Sequence, residues 1–334
     1  MKDKILNVLK FFAFLSLGVF LFWWVYKDQD IEEIKQALQH VDYGWIWISL
    51  IFGIFSHISR AMRWRMLIKQ MGYDIRPINS FLAVMVNYIA NLAVPRLGEV
   101  SRCGVIKQYE KVPFTQSFGT VIAERAIDLI MLFILFLVVF AAESPVILEF
   151  LQTNPEVSDK FKFIFESPMF IGIVAASGIG LILAFLVLRK RINHFKIYIK
   201  IKEFILNLLT GIKSVWQLEK KWLFILHTVF IWSMYFVMTY ICFFAFDFTT
   251  GFSPLKGLTV FVLASFGMVA PVQGGIGAWH FMVTRTLLIF GVAIEPDGNA
   301  FALVVHGAQT LMLVLVGAMA IIALPLVNRK TKAA

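Results

Sequence analysis

The sequence predicts an all-α polytopic membrane protein, with about six full spans plus two broken or re-entrant helix pairs that read as inverted repeats. Three observations carry this: apolar blocks long enough to cross a bilayer, connections that alternate between acidic and basic, and a short apolar run ending in a proline and glycine break in each half.

Of 334 residues, 59% are hydrophobic and 16% charged, whereas a soluble domain carries roughly a quarter charged. The apolar residues are gathered into blocks. Roughly 20 of them in a helix cross about 30 Å of hydrocarbon, so spans are expected at residues 5–26, 43–59, 114–142, 168–188, 222–246 and 300–327. Trp23, Trp24, Trp45, Trp47 and Trp222 fall near the ends of these blocks, where an indole straddles headgroup and chain. The first block has no small-residue cleavage site and reads as an uncleaved span.

The connections set orientation. Lys2, Lys4 and Lys10 precede the first block; Asp28, Asp30, Glu32, Glu33 and Asp42 follow it. Arg60, Arg63, Arg65, Lys69 and Arg76 come next, then an acidic stretch over 143–167, a strongly basic one over 189–221, and Arg329, Lys330 and Lys332 at the end. Positive residues favour the cytoplasmic side, which places both termini there and makes the chain a multi-pass protein of the cell membrane. The formal net charge of +10 is thereby accounted for by anionic lipid, with no nucleic-acid partner implied.

The expected organisation is a single transmembrane domain over 1–334. A first half, 1–142, has a helix break near 87–99; a basic amphipathic cytoplasmic connector covers 189–221; a second half, 222–327, breaks near 271–277. The apolar run 79–94 is flanked by basic residues at both ends, so it enters and returns. For 257–290, two full crossings and two half-helices from outside both preserve the charge pattern.

Candidate site residues follow from the cost of polar groups in hydrocarbon. Arg96 and Glu99 lie at the first break, followed by Arg102; Arg96 is suited to a phosphate and Glu99 to an arginine or a proton. Glu124, Arg125 and Asp128 lie inside an apolar block, with the two carboxylates four residues apart on one helical face and Arg125 offset toward Glu99 or lipid phosphate. In the second half Gln273, Gly274, Gly275, Gly277, His280 and Arg285 surround the glycine break, where backbone amides are free to face an anion. Arg60, Arg63 and Arg65, with Trp64, read as a lipid-headgroup edge. No metal-binding spacing and no nucleotide loop occurs, so neither metal nor cofactor is expected. Cys103 and Cys242 read as free thiols.

Four of these stretches carry a resemblance: Ser59-Arg-Ala-Met-Arg-Trp-Arg65, the run from Asn87 through Pro95-Arg-Leu-Gly-Glu99 to Arg102, Glu124-Arg-Ala-Ile-Asp128, and Pro271-Val-Gln-Gly-Gly-Ile-Gly277. In that order they resemble the flippase-like membrane family related to the transmembrane region of lysylphosphatidylglycerol synthase. Where that family has an acidic residue after the glycine motif, this chain has Trp279-His280. The resemblance implies translocation of a lipid or lipid-linked sugar across the cytoplasmic membrane. In lysyl-transferring members the aminoacylation belongs to a separate soluble domain, for which this sequence leaves no room, so enzymatic activity is not expected. The expected function is translocation of an anionic phospholipid or lipid-linked phosphate, with anionic membrane lipids and a separately encoded lipid-modifying enzyme as partners. The alternatives are a membrane transferase acting on a lipid phosphate, with Glu99 or His280 as base, and a non-catalytic scaffold.

Overall fold

The computed structural model describes residues 38–144 and 216–329, with a few isolated positions before residue 38. The chain parts into two compact units, residues 1–139 with 211–334, and residues 140–210. The second unit lies almost wholly outside the described residues, as do the expected spans 5–26 and 168–188 and most of the basic connector. The described helices build the first unit.

Eight α-helices occur among the described residues: α1 (Tyr43–Gln70), α2 (Pro77–Ala93), α3 (Leu97–Glu110), α4 (Phe114–Ala142), α5 (Lys221–Ile241), α6 (Pro254–Val269), α7 (Ala278–Ile289) and α8 (Asn299–Val327). Four helical stretches, Tyr43–Gln70, Phe114–Ala142, Lys221–Ala245 and Ile294–Val327, are long and apolar enough to cross a membrane; Pro77–Ala93 and Pro254–Val269 are shorter apolar helices. The protein is thus an all-α polytopic membrane protein. Phe133, Leu137, Leu315, Met319 and Ile322 lie exposed along α4 and α8, a surface that hydrocarbon solvates and water does not.

Local sequence starts and stops these helices. The Asp42 carboxylate accepts from the Gly44 N–H at 2.9 Å to cap α1, and the Ser253 hydroxyl accepts from Lys256 N–H at 3.3 Å to cap α6. Pro77 and Pro254 open α2 and α6, where a missing N–H costs nothing. α1 runs for 28 residues and does not stop at residue 59 as expected. Arginine is a good helix former, and the charges that suggested a boundary, Arg60 and Arg63, turn inward to carboxylates of α4. The chain leaves the helix at Met71 and Gly72, the latter at φ +90°.

α1 and α5 pack antiparallel. Asp42 N–H donates to the Ala245 carbonyl at 3.0 Å at one end, and Ser59 Oγ meets His227 Nδ1 at 2.8 Å toward the other. The latter is the basic end, with Lys69, Arg76, Lys107, Lys220, Lys221 and Arg329 on the helix ends and loops gathered there. Helices α2 and α3 form a hairpin that opens at the basic end: Glu110, closing α3, accepts from the backbone N–H of Arg76 at 3.2 Å and from the side chain of Asn79, in the first turn of α2. The α6–α7 hairpin opens at the opposite end. There Phe252, just before α6, meets Phe290, just after α7, with ring centroids 5.8 Å apart, and the Lys256 ammonium lies over both rings.

The halves interlock through these hairpins. Leu82 and Met85 of α2 pack with Ala320 and Leu324 of α8, while Phe261 and Val262 of α6 pack with Leu132 and Val139 of α4. The arms of each hairpin approach closely at a glycine. A β-carbon on Gly98 would meet the Asn87 carbonyl oxygen, and one on Gly267 would meet the backbone of Ala278 and Trp279. The two turns meet as well, Leu92 at the end of α2 lying over Gly274.

Candidate functional site

Two polar centres lie inside this apolar frame. The first is built by α1, α3, α4 and α5. Arg60 and Arg63 share a face of α1, and Glu124 and Asp128 share a face of α4. Arg60 Nη1 donates to Glu124 Oε1 at 2.7 Å and to Asp128 Oδ2 at 2.9 Å. Arg63 Nη2 donates to Asp128 Oδ1 at 2.7 Å, and its Nη1 to the Thr228 hydroxyl of α5 at 3.0 Å. Arg102 of α3 completes the set, with Nη1 donating to Glu124 Oε2 at 3.2 Å. Its guanidinium lies 4.7 Å from the Trp64 ring, and the Trp64 indole N–H is held by Thr120 Oγ1 at 2.8 Å. All five charged side chains are buried.

Every oxygen of Glu124 and Asp128 therefore accepts from an arginine. That leaves neither carboxylate free as a general base, and fixes positive charge in a medium that strengthens its field. Next to this cluster Arg125 Nη2 pairs with Glu99 Oε1 at 3.1 Å. Nearby Tyr88 and Tyr235 join hydroxyls at 3.0 Å, His57 lies against Tyr88, and Arg60 lies 5.8 Å from the Tyr235 ring.

Arg96 stands at the turn itself, between α2 and α3, exposed and in the left-handed region at φ 65°. A non-glycine residue there is uncommon. Asn91 holds the start of α3 by accepting from Gly98 N–H at 2.7 Å.

The second centre is the break between α6 and α7. Gly274, Gly275 and Gly277 all have positive φ. His306 of α8 reaches the Gly274 carbonyl through Nε2 at 2.9 Å, which requires the proton on that nitrogen. His280 Nδ1 accepts from Gly277 N–H at 3.3 Å. Trp279 stacks on His306 with centroids 5.1 Å apart, and the two histidine rings are 4.7 Å apart. Gln273 is buried beside them.

Placement differs from expectation for some residues. Arg60 and Arg63, expected at a headgroup edge, point inward and are occupied by Glu124 and Asp128; burial and ion pairing exclude the headgroup contact. Arg65 alone of the three faces outward, paired with Asp74 at 2.6 Å. Arg285 is exposed on α7 over the Phe281 ring at 5.5 Å, away from the glycine break, because its helical position faces outward. The structure brings Glu124, Asp128 and Arg102 together; Glu99 pairs with Arg125 rather than with its neighbour Arg96. Sequence reasoning missed Thr228, Trp64 as the cover of Arg102, and the His306 contact. The pairing of α1 with α4 had a usable signal, two cations three apart on one helix and two carboxylates four apart on another.

Comparison with known proteins gives a consistent relationship. A family model described as the lysylphosphatidylglycerol synthase TM region matches residues 8–317. A UPF0104 membrane protein of Methanothermobacter thermautotrophicus is 23% identical over 309 residues, covering 88% of each chain. A UPF0104 membrane protein of Methanocaldococcus jannaschii is 25% identical over 130 residues, 38% of this chain and 36% of that protein. The glycosyltransferase AglD of Haloferax volcanii is 27% identical over 104 residues, 30% of this chain and 16% of that protein. The match thus spans well under half the length of the last two. No solved structure matches.

Proposed function

The chain belongs to the lysylphosphatidylglycerol synthase transmembrane-region family, and on that premise we propose that it is a flippase-like translocator of an anionic phospholipid or lipid-linked phosphate across the cytoplasmic membrane. The observation that carries this reading is the pair of helix hairpins opening at opposite ends and touching at their turns, beside a buried arginine cluster. Non-helical backbone is stable at membrane depth only against protein or a wet cavity. Opposed broken helices around a central site are the general form of an alternating-access device.

In this reading α6 and α7, of 16 and 12 residues, are half-helices, since ~24 and ~18 Å fall short of the roughly 30 Å bilayer core. The four long helices and the expected spans 5–26 and 168–188 make six crossings, α2–α3 and α6–α7 are re-entrant, and α1–α4 with α5–α8 are inverted repeats. The basic end is cytoplasmic, and so are both termini. Arg96, Arg102 and Arg125 receive the anionic headgroup; Glu99, Glu124 and Asp128 set the field around it. Gln273, Gly274, Gly275, Gly277 and His280 form the opposing gate. The left-handed backbone at Arg96 supports its part, because glycine would serve a purely structural turn better. The likeness to part of a glycosyltransferase supports a setting beside a separately encoded lipid-modifying enzyme.

The test is leaflet accessibility in proteoliposomes with labelled anionic phospholipids and polyprenyl phosphates. Native protein is expected to accelerate inversion of one lipid class, and Arg96→Ala and Glu99→Ala to abolish it while remaining folded. No acceleration for any lipid, with or without a proton gradient, overturns the reading.

A further inference from the structure

The first polar centre carries more positive charge than it neutralises. Arg60, Arg63 and Arg102 face only Glu124 and Asp128, so three guanidiniums meet two carboxylates. The adjoining Arg125–Glu99 pair adds one charge of each sign and leaves the balance unchanged. The excess is located by hydrogen bonding. Arg102, 1% exposed, uses only Nη1; its Nε and Nη2 are buried with no hydrogen-bond partner. Arg63 leaves only Nε unpartnered, and Arg60 makes both of its bonds through Nη1 and buries Nε without a partner; of the three, Arg102 buries two unpartnered donors. Buried guanidinium donors without acceptors are costly, and a free positive charge in an apolar surround more so.

We propose that Arg102, with the cluster behind it, is the binding site for one phosphate oxyanion bearing a single negative charge, the charge of a phosphodiester. Two donors on one edge of a planar guanidinium match two oxygens of such a group, and one negative charge brings the cluster to neutrality. A phosphomonoester, at about −1.5 to −2 near neutral pH, overshoots it. Trp64 covers one face of the guanidinium and leaves the in-plane edge for the ligand. Arg125 and Glu99, whose side chains are 42% and 19% exposed, are the most exposed of the charged residues gathered here. Glu99 stands one helical turn before Arg102 on α3, and Arg125 follows Glu124 directly on α4. This site deepens the translocation reading by naming its headgroup chemistry, but it is a statement about binding and is tested as such.

The experiment is isothermal titration calorimetry on the full chain in non-ionic detergent, with three probes: short-chain phosphatidylglycerol, short-chain phosphatidic acid and inorganic phosphate. The native protein is expected to bind the diester more tightly than phosphatidic acid. Inorganic phosphate, which like the monoester carries more than one negative charge near neutral pH, is expected to bind less tightly than phosphatidylglycerol, and the reverse order overturns the single-charge assignment. Arg102→Gln weakens binding at least tenfold, and Arg102→Lys retains part of it. Glu124→Gln, which keeps a hydrogen-bonding side chain and raises the excess to two charges, shifts preference toward phosphatidic acid. A native protein that binds none of the probes overturns the proposal. So does undiminished affinity in Arg102→Gln that elutes as native protein, or an unchanged preference in folded Glu124→Gln. Lipid inversion that survives Arg102→Gln removes this site and keeps translocation; binding without inversion keeps the site and removes translocation.

Discussion

A β-carbon built on Gly274 would stand 2.5 Å from Cδ2 of Leu92, so the turn of one hairpin rests directly on the end of the other. Gly274 also has φ +59°. Gly274→Ala is therefore expected to destabilise on two counts. The left-handed backbone costs an L-residue roughly 1–2 kcal/mol, and the Leu92 side chain must move. Adding Leu92→Ala relieves the second cost and leaves the first. Thermal unfolding midpoints of the single and double variants in detergent separate the two.

Removing one anion from the buried cluster leaves three arginines facing the other alone. Asp128→Ala takes from Arg63 its 2.7 Å acceptor and from Arg60 one of two, and breaking a buried pair in this way costs about 3–5 kcal/mol. Truncating the outward Arg65 loses a part-exposed pair with Asp74 and a hydrogen bond to the Ile75 carbonyl, and is expected to cost about 1–2 kcal/mol. Chemical unfolding of both variants in mixed micelles checks the contrast.

Arg96 offers a variant in which stability and activity part company. Arg96→Gly relaxes a left-handed residue at the price of a looser unfolded chain, so net stability is expected to stay within about 1 kcal/mol of native. Lipid inversion in proteoliposomes falls all the same, because the guanidinium is gone. Retained inversion in this variant removes Arg96 from the headgroup path.

The hairpin geometry has a direct chemical readout. Cys103 and Cys242 are buried free thiols and are expected to stay unreactive in the folded protein. Arg76→Cys and Lys107→Cys, flanking and within α2–α3, label from one side of the membrane with an impermeant maleimide. Thr250→Cys and Ala293→Cys, flanking α6–α7, label from the other. Labelling of Thr250→Cys and Ala293→Cys from opposite sides would show that 257–290 does not return to the face it left.

Much of this frame was legible in the sequence, since hydrocarbon imposes simple rules on length and charge. The run 79–94 is expected to turn back because basic residues flank both ends, with its break near Asn87, Asn91 or Pro95; the helix there ends at the Val94 C-cap, beside the last of these. Arg60 and Arg63 were misread because a basic cluster after an apolar block looks like an edge. Their burial follows only from α1 continuing to Gln70 and from carboxylates more than sixty residues away on α4. The break around Gly277 was visible as glycine, but the His306 contact to Gly274 O was not, being set by how α8 packs and by no local pattern.

In the proposed reading, the inverted relationship of α1–α4 to α5–α8 has a consequence for direction. A body whose two parts run in opposite senses presents nearly the same backbone to either side of the bilayer, so the fold itself distinguishes neither loading nor release. Vectoriality has to be written in side chains. In that reading it lies in the side chains of the two turns, Arg96 on one and Trp279, His280 and the three glycines on the other; because those glycines hold positive φ, trading residue types between the hairpins would change the turns as well as the sense of the molecule.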